Sequence, residues 1–170
     1  AEVRDEAGDP VDTGRIGELW LKTESSMVGY YHDRAATKAM LIDGWLRTGD
    51  RAIVDESGRY RLVGRFSDMY IRGGYNVHPH EVETVLSTHQ SVDQVAIVPR
   101  PHPTMGEVGV AVVVPMDAND PPTLEDLRDV GRSSLATYKI PEELLIVKTL
   151  PLNSGHKLDR MALRQIVSGV

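Results

Sequence analysis

The run Val108-Gly109-Val110-Ala111-Val112-Val113-Val114 constrains this chain more than any other stretch. It is the longest apolar run and has strand length, short of the roughly 18 residues that a membrane-spanning helix needs. A strand that is apolar at successive positions shows apolar side chains to both of its faces, so both must be covered. The neighbouring sequence supplies the cover. Pro79 to Thr88 reads as a helix, since proline suits a first turn and Val82, Val85 and Leu86 fall on one face. Thr123 caps a second helix to about Ala136, with Glu125 and Asp126 in the first turn, where the helix dipole favours negative charge. Asp159 to Val167 reads as a last helix, carrying Leu163, Ile166 and Val167. Val92 to Val98 and Leu144 to Val147 read as strands. Residues 68–170 are thus expected to form a small α+β domain with a three-stranded sheet and packed helices.

Residues 1–67 read as short strands and turns. Ile16 to Leu21 is a strand, and Arg34 to Met40 a short helix with Asp33 as N-cap. Ala52-Ile53-Val54 and Tyr60 to Val63 form a hairpin across Asp55-Glu56-Ser57-Gly58. Such a region is too small and open to bury a core well. The whole chain has 170 residues, 41% of them hydrophobic and 26% charged, which is enough for one or two globular domains. Its net charge of -6 argues against a nucleic-acid partner. The absence of cysteine excludes disulfides, thiolate catalysis and cysteine-ligated zinc, leaving the cytoplasm as the default compartment. The six histidines show no zinc-site spacing and read as surface residues. No signal peptide is visible, and Ala1 to Asp12 looks like mid-chain sequence.

Three stretches carry the chemistry. Gly64-Arg65-Phe66-Ser67-Asp68-Met69-Tyr70-Ile71-Arg72-Gly73-Gly74 joins the two regions. Its polar break, Ser67-Asp68, favours a turn, and its paired glycines favour a tight exposed loop. Gly44-Trp45-Leu46-Arg47-Thr48-Gly49-Asp50 precedes it, and Ser154-Gly155-His156-Lys157-Leu158-Asp159-Arg160 lies near the end. In this order and spacing they resemble the C-terminal third of the adenylate-forming enzymes: acyl-CoA synthetases, carrier-protein-loading adenylation domains and luciferases. The likeness runs from about Gly14 to the last helix.

The resemblance implies roles. Residues 1–67 would be the last β subdomain of a larger N-terminal AMP-binding domain, and residues 68–170 a small mobile domain. Asp50 would hold the ribose hydroxyls of ATP, since a carboxylate offers two acceptors to a vicinal diol; without the other motifs it reads as a turn aspartate capping the next strand. Arg65 would reach the nucleotide sugar, or else pair with Asp68 at the surface. Asp68 would be the hinge, solvated in either domain position. Gly73, Gly74 and Tyr75 would line a tunnel for the pantetheine arm of coenzyme A, or serve a hairpin for geometry alone. Arg72 is a weaker candidate for a phosphate of coenzyme A. Lys157 would stabilise charge on the α-phosphate and carboxylate during adenylate formation. His156 departs from the pattern, which usually has glycine directly before the lysine.

ATP, coenzyme A and Mg²⁺ are the implied small molecules. The phosphate loop, acyl pocket and Mg²⁺-binding glutamate would lie upstream of Ala1, and the chain alone is expected to be inactive. The implied parent is an acyl-CoA synthetase acting on a fatty or related carboxylic acid. A carrier-protein acceptor and a non-catalytic structural or regulatory module are the alternatives.

Overall fold

The computed structural model describes residues 1–169 and divides the chain into two compact units, Ala1–Ser67 and Asp68–Val170. The first unit is a five-stranded antiparallel sheet with one short helix, α1 (Arg34–Met40), capped by Asp33, whose side chain accepts from the Ala36 N–H at 2.8 Å. Its strands are β1 (Glu2–Arg4), β2 (Ile16–Leu21), β3 (Leu41–Ile42), β4 (Trp45–Val54) and β5 (Tyr60–Arg65). β4 is the spine. β2 runs along one edge with β1 beyond it, and β3 and β5 share the other edge.

Hydrophobic burial in this unit is confined to Val3, Trp20 and Ala52. Charge and aromatic surface do the rest. The Arg4 guanidinium lies over both indoles, 4.8 Å from the ring centre of Trp20 and 4.3 Å from that of Trp45. Arg47 donates to the buried Glu18 carboxylate at 2.7 Å. Such stacked guanidinium contacts contribute about 0.5–2 kcal/mol each, more where water is excluded.

The second unit is the α+β domain expected, with a larger sheet. β8 (Val92–His102) and β9 (Gly106–Pro115) form a long antiparallel hairpin, and β10 (Glu143–Ile146) pairs with β9 in parallel. These are the three strands legible in the sequence. Two short strands, β6 (Tyr70–Arg72) and β7 (Tyr75–Val77), join them and make the sheet five-stranded.

The apolar run lies in β9 and is covered on both faces. Ala111 and Val113 pack with Val82 and Leu86 of α2 (Pro79–Leu86) and Leu127 of α3 (Leu124–Arg132). Val110 and Val112 pack with Leu163 and Val167 of α4 (Arg160–Ser168). Gly109 interrupts the run because a Cβ there would collide with the hydroxyl of buried Tyr70. Burial pushes the Tyr70 phenol well above its usual range. α3 starts on a capping box in which Thr123 and Asp126 bond reciprocally. It ends at Arg132, short of Ala136, where the Ser133 hydroxyl turns back onto the Val130 carbonyl at 2.7 Å.

Candidate functional site

Asp50 and Arg65 lie in the first unit and face each other across the sheet. Both belong to strands, β4 and β5, and are direct register partners, so Asp50 is no turn residue. Arg65 Nε donates to Asp50 Oδ1 at 2.7 Å. Arg65 therefore pairs with Asp50 rather than with Asp68. A carboxylate has about four acceptor positions on its two oxygens. Asp50 can therefore keep this arginine and still accept from a diol.

The strand around Asp50 is held from behind. The Thr48 hydroxyl donates to the Leu19 carbonyl at 2.8 Å and accepts from the Asp50 N–H at 3.0 Å. The Gly49 N–H donates to Glu18 Oε1 at 3.1 Å. Glu18 thus fixes the backbone next to Asp50 through one oxygen and Arg47 through the other. Sequence reasoning missed it; the only sign was a glutamate inside an apolar strand.

The remaining candidates lie in the second unit. Asp68 closes a single 3₁₀ turn, Phe66–Asp68. Its side chain is mostly covered rather than solvated, and its Oδ2 accepts from Arg160 Nε at 2.9 Å. The expectation of a freely hydrated hinge aspartate is thereby corrected. Arg72 is committed elsewhere in its unit, with Nε donating to Glu142 Oε1 at 2.9 Å.

Gly73 and Gly74 form the two-residue turn between β6 and β7, with φ of 55° and 87°. Two successive positive φ values are what a tight hairpin of native twist requires, and glycine adopts them without strain. The Gly73 N–H is anchored to the Met105 carbonyl at 2.8 Å, while nothing lies near a Cβ placed on Gly74. Tyr75, half exposed, stacks on Tyr138 with ring centres 4.6 Å apart and planes 20° off parallel.

Lys157 sits exposed on the loop between β10 and α4. Asn153 builds this loop. Its Oδ1 accepts from the Gly155 N–H at 2.9 Å and the Lys157 N–H at 3.1 Å. Its backbone N–H donates to the Lys157 carbonyl at 2.8 Å and its carbonyl accepts from the His156 N–H at 2.9 Å. Asp159 then caps α4, accepting from the Met161 and Ala162 N–H groups. His156 stands in the left-handed region at φ 56°. The histidine-for-glycine departure thus falls where glycine would be unstrained, and the loop closes regardless.

Among the described residues no three His, Asp or Glu side chains cluster as a metal ion would need. Residues 1–169 therefore offer no set of side chains that fits Mg²⁺. No helix among them is long and apolar enough to cross a membrane.

Residues 81–157, from α2 to Lys157, match the AMP-binding enzyme C-terminal domain family. The chain belongs to the AMP-binding, adenylate-forming superfamily, over the C-terminal part of its members. It is similar to a 2-succinylbenzoate–CoA ligase of Listeria monocytogenes, 38% identical over 149 residues, which cover 88% of this chain and 31% of that protein. A long-chain-fatty-acid–CoA ligase of Yersinia pestis is 38% identical over 162 residues, 95% of this chain and 28% of that protein. Among solved structures, the amide bond synthetase McbA from Marinactinospora thermotolerans superposes with a TM-score of 0.89 at 36% identity, over 98% of this chain and 33% of that one. The chain therefore spans about a third of the length of these relatives.

Proposed function

We propose that this chain is the C-terminal part of an ATP-dependent acid–thiol ligase that makes an acyl-adenylate and then an acyl-CoA from a fatty or related carboxylic acid. The observation that carries the reading is Lys157, the last residue of the family match, held in an exposed loop that Asn153 ties at four points. The naming of two relatives as CoA ligases supports the thiol acceptor.

In the first step a carboxylate oxygen of the acid bonds to the α-phosphorus of ATP and pyrophosphate leaves. The Lys157 ammonium meets the negative charge gathering on the α-phosphate oxygens. Asp50 accepts the ribose hydroxyls, and Arg65, already bonded to it, keeps that carboxylate oriented. In the second step the thiol sulfur of coenzyme A bonds to the acyl carbon, AMP leaves with the electron pair of the broken C–O bond, and the thiol proton passes to solvent. Asp68 is the hinge between the two arrangements. Gly73, Gly74 and Tyr75 serve the second. The phosphate loop and acyl pocket are contributed by residues beyond this chain.

The half-reactions separate the roles. In the enzyme that carries this chain, Lys157→Ala lowers acid-dependent ATP–pyrophosphate exchange by roughly 10²–10³, the usual loss for one preorganised donor. It spares thioester formation from supplied acyl-adenylate. Equal loss in both steps overturns the catalytic role of the lysine. A second reading passes the same adenylate to an amine, which the likeness to an amide bond synthetase favours. Offering coenzyme A and amines in competition for preformed adenylate decides between the two acceptors.

A further inference from the structure

Arg160 reaches the hinge candidate with a fully engaged guanidinium. All three of its guanidinium nitrogens are used, each on a different element. Nε donates to Asp68 Oδ2 at 2.9 Å, Nη1 to the Ile97 carbonyl at 3.3 Å, and Nη2 to Glu83 Oε1 at 3.2 Å. Glu83 closes the ring by accepting from the Ile97 N–H at 2.9 Å. His80 Nδ1 stands 4.0 Å from the other Glu83 oxygen. One guanidinium thus joins the 3₁₀ turn at Asp68, strand β8, helix α2 and helix α4. The side chains are mostly covered, with 28% exposure at Arg160, 21% at Asp68 and 14% at Glu83. A planar fork suits this geometry and an ammonium does not, because three donors must point along fixed directions in one plane.

We propose that Arg160 is a positioning residue that clamps the Asp68 side chain onto the second unit. The pivot of domain rotation then lies in the backbone on the N-terminal side of the Asp68 Cα, at Ser67–Asp68. The inference rests on the hinge reading of Asp68 given above. It also explains why one short segment carries both Lys157 and Arg160. The helix that begins three residues after the lysine is the one that holds the pivot, so lysine and pivot move as one body.

The test has two readouts. Hydrogen exchange, followed by mass spectrometry on peptides spanning Phe66–Tyr70, reads the clamp without any chemistry. Asp68→Asn and Arg160→Lys should each raise exchange there about fivefold, the scale of a partly exposed ion pair. The double variant should exchange no faster than the single ones. Unchanged exchange in Asp68→Asn, or a double variant equal to the product of the singles, overturns the clamp. If Arg160→Lys raises exchange throughout α2, β8 and α4, Asp68→Asn alone decides. The second readout is the ratio of adenylate-forming to thioester-forming rate in the enzyme that carries this chain. Both variants should shift it in the same direction, with Lys157 untouched. Raised exchange with an unchanged ratio upholds the clamp and overturns Asp68 as the hinge, so the two readings fail separately.

Discussion

The two loops that carry the candidate chemistry of the second unit solve the same problem in opposite ways. The β6–β7 turn reverses in two residues, both glycine, both at positive φ, and draws one backbone bond from outside itself, to Met105. The Lys157 loop places a histidine at positive φ and recovers the strain through the Asn153 side chain. One loop is shaped by what its residues lack. The other is shaped by a side chain that holds a less suited backbone in place. The first therefore tolerates no Cβ on conformational grounds, whereas the second depends on one particular oxygen.

Substitutions break the comparison in a fixed order. Replacing Gly73 and Gly74 together by alanine has the largest effect. Each left-handed non-glycine residue costs about 1–2 kcal/mol, so roughly 2–4 kcal/mol is lost in all. Urea denaturation measures this, and thioester formation should fall while pyrophosphate exchange persists. Asn153→Ala removes two accepted N–H bonds in an exposed loop and should cost about 1 kcal/mol. Its signature is functional: adenylate formation falls with the thioester step intact, the reverse of the glycine pair. His156→Gly is the smallest. It relieves about 1–2 kcal/mol of left-handed strain and returns about 0.5–1 kcal/mol through the greater freedom of unfolded glycine. A net gain of about 0.5 kcal/mol, near 1–2 °C in melting temperature, is expected. A loss there instead would mean that the imidazole makes a contact the loop needs.

Sequence patterns exposed the elements whose side chains repeat and hid those fixed by backbone or by distant partners. β9 was plain because burial on both faces demands an unbroken apolar run. α2 and α4 showed one-sided apolar spacing. β6 and β7 showed only through the hairpin alternative at Gly73-Gly74, since three residues on either side of the glycines carry no period to read. β4 was legible only from Ala52, because Gly49 and the polar Arg47, Thr48 and Asp50 mask its earlier half. That half is held by Glu18 and Thr48 rather than by packing. At the candidate site, residue types were legible and pairings were not. Arg65 and Asp50 meet because two strands share a register, and Asp68 meets Arg160 because helix and turn converge. Neither relation leaves a trace in local spacing.

The parallel seating of β10 has a consequence for how the second unit assembles. β8 and β9 close across a short connection and can zip locally. β10 meets β9 only after the chain has travelled out along α3 and returned. Closing that longer excursion carries an entropy cost before any contact rewards it. The β8–β9 hairpin, with α2 against it, is therefore the expected folding nucleus, and β10 docks late. Val113→Ala, on the face covered by α2, should slow folding, whereas Leu144→Ala should mainly speed unfolding. The Lys157 loop follows β10 directly, so the catalytic candidate is among the last parts of the unit to take its shape.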